Sequence, residues 1–118
     1  MLSELIYFFR HLSRLLLFYL FVTILIIWVS VVFGTRPEAI KLAPVIIELK
    51  KLNNIECHIC VTAQHRQMLD QVLRIFNIVP DTDLNLMTPN QSLAGFTVKA
   101  VEQIDKYFKK EKPDFVLV

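Results

Sequence analysis

From Leu15 to Phe33 the chain runs for 19 residues without a charge, and the run stops against Gly34, Thr35, Arg36, Pro37 and Glu38. As one helix the run is long enough to span a bilayer. Arg10, His11 and Arg14 just ahead of it would then hold the N-terminus in the cytoplasm. A secretory signal fits less well, because the run exceeds the usual apolar core and no small-x-small cleavage site precedes Gly34. The other reading divides the run into a hydrophobic leader and a buried strand of a parallel sheet, which is also continuously apolar. Trp28 to Phe33 is β-branched and aromatic and ends at a glycine, as such a strand does. No residue can serve both states, so a strand over 28–33 leaves residues 4–25 for a separate hydrophobic helix.

The pattern downstream favours the sheet. Thr35 and Glu38 have the S/T-x-x-E spacing of a capping box, and Pro37 suits a first helical turn. Leu42, Val45, Ile46, Leu49 and Leu52 continue that helix as an apolar stripe. Pro44 offers no N–H to the Ile40 carbonyl and restricts Ala43, which predicts a kink or a restart. Asn53 and Asn54 break the chain, and 55–62 reads as a second strand. Helical spacing returns over 64–76, with Asn77 as the stop. A loop through Pro80, Asp81 and Asp83 precedes a short strand near Leu84 to Met87. Leu93, Phe96, Ala100, Val101, Ile104 and Phe108 form the longest amphipathic stripe, which closes on Lys109 and Lys110 at the helix's negative end. Phe115 to Val118 is a last apolar strand. Strands alternating with helices predict βαβ units and a doubly wound parallel sheet.

Composition narrows the class. One small domain fits 118 residues, and 54% hydrophobic residues with 20% charged is not a disordered composition. A net charge of +2 provides no cationic field for nucleic acid. Cys57 and Cys60 resemble a C-x-x-C motif, but on a strand residues three apart point to opposite faces, so the thiols cannot converge on a metal or an unstrained disulfide. They are expected to be buried structural cysteines, and His58 a satisfied histidine rather than a ligand. Asp81 and Asp83 share one loop with no partner base, which is turn chemistry. No metal and no cofactor is expected.

The segment Phe33 to Lys41 is the candidate for chemistry. Gly34 permits close backbone approach, a helix N-terminus supplies free N–H groups, and Arg36 and Lys41 add cationic donors suited to a pyrophosphate. The plain alternative makes Arg36 a solvated side chain and Gly34 a turn. Neither G-x-G-x-x-G nor a P-loop is present.

Four stretches then carry a resemblance. FGTRPEAIKLAP at 33–44, VTAQHRQMLDQVL at 61–73, FNIVPDTDLNLM at 76–87 and KPDFVLV at 112–118 stand in the order and spacing of the non-hydrolysing UDP-N-acetylglucosamine 2-epimerases. The resemblance runs from about residue 27 to 118, roughly the first third of such an enzyme. It implies a Rossmann-like parallel sheet within the N-terminal domain of a two-domain, glycosyltransferase-B-like fold, preceded here by the hydrophobic leader of 1–26. It further implies interconversion of UDP-N-acetylglucosamine and UDP-N-acetylmannosamine by elimination and re-addition of UDP, in the service of cell-surface polysaccharide synthesis.

Residue by residue, Gly34, Arg36 and Lys41 match the family's substrate-binding segment. Gln64, His65 and Gln67 match a second, regulatory site for UDP-N-acetylglucosamine, although Gln64 or His65 could equally cap a helix. The family's carboxylates and essential histidine fall after Val118, beginning with an expected H-G-D-T run. No catalytic acid or base is therefore assigned, and the chain is expected to be an inactive N-terminal fragment of a cytoplasmic enzyme that is a homodimer when full length. A membrane-anchored nucleotide-sugar-binding module, held through residues 4–33, and the truncated product of a broken gene are the alternatives.

Overall fold

The computed structural model describes residues 1–118, apart from the side chains of 22–24. The elements are α1 (Leu2–Ile24), β1 (Ile27–Phe33), α2 (Arg36–Leu49), β2 (Ile55–Val61), α3 (Arg66–Ile75), β3 (Thr82–Asp83), α4 (Leu93–Glu111) and β4 (Phe115–Leu117). The uncharged run is thus shared between α1 and β1. Its helical part, from Leu15 to Ile24, falls well short of the ~20 residues a bilayer requires. Among the described residues no helix is long and apolar enough to cross a membrane.

All pairings are parallel, and the strands lie in the order β3-β2-β1-β4. Register follows from alternation. Val29, Val31 and Phe33 of β1 and Ile55, Cys57, Ile59 and Val61 of β2 face the side that α2 and α3 cover, where Ala39, Ala43, Ile46, Leu69, Val72 and Leu73 complete the main core. The opposite face carries Val32 and Cys60, packed under Tyr107 and Phe108 of α4. Cys57 and Cys60 therefore face opposite sides of the sheet. Burial raises both thiol pKa values, that of Cys60 to about 12.

The α4 face of the sheet is partly polar. Ser30, fully buried in the middle of β1, meets the Tyr107 hydroxyl at 2.6 Å, and the same hydroxyl lies 2.6 Å from Nδ1 of His58. His58 and Tyr107 stack with ring centroids 5.6 Å apart. Two polar residues on adjacent strands are thus satisfied by one side chain from the helix above them.

Two Pro-Asp pairs start the outer strands in the same way. Asp81 accepts from the Ile59 N–H through Oδ2 at 2.8 Å, while its own N–H donates to the Ile59 carbonyl at 2.9 Å. Asp114 does the same to Trp28, at 2.8 and 2.9 Å. Each aspartate clamps the backbone of an inner strand, which is more than turn chemistry.

Three expectations need correction. The strand placed at Leu84–Met87 is instead the two-residue β3, because Asn85 at φ 44° turns the chain out of extended geometry. Leu84 and Leu86 still donate to the carbonyls of Val61 and Thr62. Pro44 causes no restart: α2 continues to Leu49, and both Pro44 and Ile40 lie on its exposed side, where water can reach the carbonyl that Pro44 leaves unbonded. The helix placed at 64–76 begins only at Arg66. Asn77 stops it as expected, at φ 55°, with the Ile78 N–H reaching back to the Leu73 carbonyl at 2.8 Å.

The clamps can be tested against each other. Asp81→Ala strips an acceptor from a part-buried N–H and should cost about 1–3 kcal/mol. Asp114→Ala acts at an exposed bond and should cost less. Urea unfolding followed by far-ultraviolet circular dichroism measures both, and equal losses would contradict the burial argument.

Candidate functional site

The sheet grows from β1 to β2 to β3 and then returns to the other side of β1 with β4, so β1 and β4 flank the point where winding reverses. In open parallel sheets ligands bind beyond the carboxyl ends of the strands at such a point. A cleft of about 240 Å³ lies there, lined by Val32, Phe33, Gly34, Glu38, Thr62, Gln64, Phe96, Ala100, Ile104 and Val118. A larger hollow of about 480 Å³ runs along exposed α1, away from the strand ends.

Gly34 is buried at the floor of the cleft. A Cβ at this position would stand 1.9 Å from Thr62 Oγ1 and 3.3 Å from Thr62 Cβ. What demands glycine here is the neighbouring loop, whose Thr62 and Gln64 N–H groups donate to the carbonyls of Phe33 and Gly34 at 3.0 and 3.1 Å. The ends of β1 and β2 are thus bonded into a single floor.

The free amides anticipated at the start of α2 are in part occupied. Oε2 of Glu38 accepts from the N–H groups of Gly34 at 3.0 Å and Thr35 at 3.1 Å, and Thr35 with Glu38 completes the capping box. Partial burial works to raise the Glu38 pKa. The bonds from Gly34, Thr35 and the Thr35 hydroxyl, with the Lys41 charge, outweigh it and hold the carboxyl below its ordinary 4.5. The chain's own carboxylate sits where a ligand anion would look for those two donors. The Arg36 N–H, by contrast, has no acceptor in the protein among the described residues.

Arg36 and Lys41 are exposed, and neither forms an ion pair among the described residues. They rise from the first turns of α2 beside the cleft rather than lining it. Helical Cα–Cβ bonds lean toward the N-terminus, which aims Lys41 back at the Glu38 end. Gln64 lines the cleft. His65 takes the N-cap position of α3 without a side-chain bond, and Gln67 is exposed at the second position of that helix. The structure therefore joins Gly34 and Gln64 in one cleft and leaves Arg36, Lys41, His65 and Gln67 on the surface of the same sheet edge.

Sequence reasoning placed Arg66 on the ligand side of the sheet with Gln64, His65 and Gln67 but gave it no role of its own. Its guanidinium pairs with Asp83 and, through Nε at 3.4 Å, with Asp70, and it donates to the Asn85 side chain at 3.3 Å. The bond to Asp83 is the main cause of its raised pKa. Arg66 ties the start of α3 to the end of β3, and the Arg66/Asp70 spacing was its only signal. Phe96, Ala100 and Ile104 belonged to a helical stripe that gave no hint of which end would reach the cleft.

The chain is similar to known proteins over most of its length. The family model for UDP-N-acetylglucosamine 2-epimerase matches residues 47–118. The UDP-N-acetylglucosamine 2-epimerase of Bacillus subtilis (strain 168) is 59% identical over 90 residues, which cover 76% of this chain and 24% of that protein. The enzyme of Neisseria meningitidis serogroup A is 57% identical over 90 residues, with the same coverage of 76% and 24%. Among solved structures, UDP-GlcNAc 2-epimerase from Neisseria meningitidis bound to UDP-GlcNAc superposes with TM-score 0.72 at 54% identity, over 76% of this chain and 24% of that one. An S. aureus MnaA-UDP co-structure gives TM-score 0.74 at 46% identity, over 79% and 24%. The chain spans about a quarter of the length of these relatives. The family match begins near the end of α2 and runs through β4.

Two outcomes test the site's construction. Gly34→Ala should destabilise the chain by about 1–3 kcal/mol through overpacking, and adding Thr62→Ala, which removes the clashing Oγ1, should recover part of the loss. Thermal unfolding of the single and double variants decides it, and no recovery would place the strain elsewhere. For Glu38, a folded pKa below the unfolded one means that its capping stability is fully present above about pH 5. That contribution is lost as pH falls through the folded value. The difference in Tm between the natural chain and Glu38→Gln should therefore shrink on acidification, and a difference that grows below pH 4.5 would reverse the assignment.

Proposed function

The chain belongs to the UDP-N-acetylglucosamine 2-epimerase family, and on that premise we propose that it forms the N-terminal part of an enzyme interconverting UDP-N-acetylglucosamine and UDP-N-acetylmannosamine. In this reading residues 27–118 are the first part of the Rossmann-like nucleotide-sugar domain, and residues 1–26 a leader outside it. The observation that carries the proposal is the cleft at the β1/β4 reversal with Gly34 in its floor, and exposed Arg36 two residues on at the start of α2. A guanidinium without a carboxylate partner among the described residues, next to an amide without an acceptor among them, is a donor set for a diphosphate.

The ligand proposed is UDP-N-acetylglucosamine or UDP. The C2 proton of the sugar leaves with a base, the bond to UDP breaks to give a glycal, and UDP adds back after protonation of the other face. Arg36 and Lys41 would hold the diphosphate and offset the charge that gathers on it as the bond to the sugar breaks. No residue here is assigned as general acid or base. Those roles fall to the other three quarters of such an enzyme.

Gln64, His65 and Gln67 are proposed for a neighbouring regulatory nucleotide-sugar site, supported by their place at the start of α3 on the same sheet edge. A homodimer of the full-length enzyme in the cytoplasm completes the reading. Two free thiols, both with pKa values raised by burial, suit a reducing compartment.

Arg36→Ala in the full-length enzyme should weaken UDP binding roughly 10- to 150-fold, the equivalent of one charge-assisted bond of about 1.5–3 kcal/mol. Arg36→Lys should restore only part, since the two-pronged donor is lost. Calorimetric titration of UDP at fixed salt, with folding checked by circular dichroism, measures both, and unchanged affinity in Arg36→Ala would remove the residue from the site.

A further inference from the structure

The longest helix of the protein is also its least buried. Every described side chain of α1 is exposed, and Leu2, Leu5, Ile6, Phe9, Leu12 and Leu16 are between 44% and 80% accessible. At about 100° per residue these six share one face. Ser3, Tyr7, Arg10 and Arg14 form a stripe on the opposite face, flanked by Glu4 and His11. Through Arg14 the arrangement is an apolar face backed by a cationic one; beyond it Leu17, Phe18 and Phe21 carry the apolar surface round to the arginine side, and among the described residues α1 makes no contact with the sheet.

We propose that α1 docks on an anionic phospholipid surface, lying in the plane of the interface with its Leu2/Phe9/Leu16 face toward the acyl chains. Two observations of this helix select that occupant. Its charge is complementary to anionic headgroups, since Arg10 and Arg14, with His11 between them, face a single carboxylate at Glu4. Its apolar face is also too wide for pairing with a second copy. The positions flanking the Leu2/Leu5/Phe9/Leu12/Leu16 row are Ile6, Phe8, Ser13 and Leu15, where a two-stranded coiled coil places the charges that set its partner. A lipid surface covers such a face whole, while arginine stems reach from its edges to the phosphates.

Co-sedimentation of the full chain with extruded vesicles tests the proposal. Vesicles of phosphatidylcholine containing about one-third phosphatidylglycerol should carry the chain down, and pure phosphatidylcholine should do so far less. Arg10→Gln with Arg14→Gln should weaken binding to the anionic vesicles roughly 25-fold, at about fivefold per arginine, and added salt should weaken it likewise. Phe9→Ser with Leu12→Ser should abolish binding. Both variants change only exposed side chains, so the sheet domain should keep its circular dichroism. Alkaline carbonate should release the bound chain. The proposal is overturned by equal binding to both kinds of vesicle, by retention through the carbonate wash, by absence of binding, or by self-association through α1 that vesicles do not compete away.

Discussion

β1 is hydrogen-bonded along both edges, to β2 over its whole length and to β4 over Val29–Val31, and the remaining elements take their places from that double pairing. Because the chain adds β2 and β3 on one side and β4 on the other, right-handed crossovers place α2 and α3 on one face and α4 on the opposite one. A strand buried on both faces is apolar except where a polar side chain finds a partner, as Ser30 does in Tyr107. This is why the last residues of a long uncharged run belong to the sheet and why α1 has to end before them.

The same reversal makes the site. At the carboxyl end of β1 the chain must turn at once into α2, while the loop from β2 crosses close enough that Thr62 occupies the space of a Gly34 side chain. Glu38 then folds back over the turn and takes its first two amides. The junction is held rigid from below by the β2 loop and from the helix side by its own carboxylate. Arg36, one residue beyond, is left projecting from a fixed base, which would lower the entropy cost of meeting the proposed diphosphate.

Much of this was legible in the residues. Alternation of apolar runs gave the βαβ order, Gly34 marked the strand end, and the Thr35/Glu38 spacing marked the helix start. Three-residue spacing on a strand separated Cys57 from Cys60. Other features left no local trace. The backbone at Asn85 cut short the strand expected at 84–87, an effect of one dihedral angle that apolar patterning does not record. The capping box was visible, yet it also fills donors that the helix N-terminus would otherwise offer, and that consequence needs the geometry of the carboxylate. Ser30 within an apolar strand and His58 on the next could be understood only with Tyr107, 77 and 49 residues away, lying above both.

The paired hydrogen bonds of Asp81 and Asp114 reach further than the two contacts they close. β3 has two residues and β4 three, too few for ladder bonds alone to distinguish one alignment from its neighbour. A slip by a single position would turn every side chain to the wrong face and strand a carboxylate away from its amide. Alignment is thereby written into a side chain at the entrance of each outer strand rather than into the strand's length, so the sheet can be narrow at its margins and still be unambiguous.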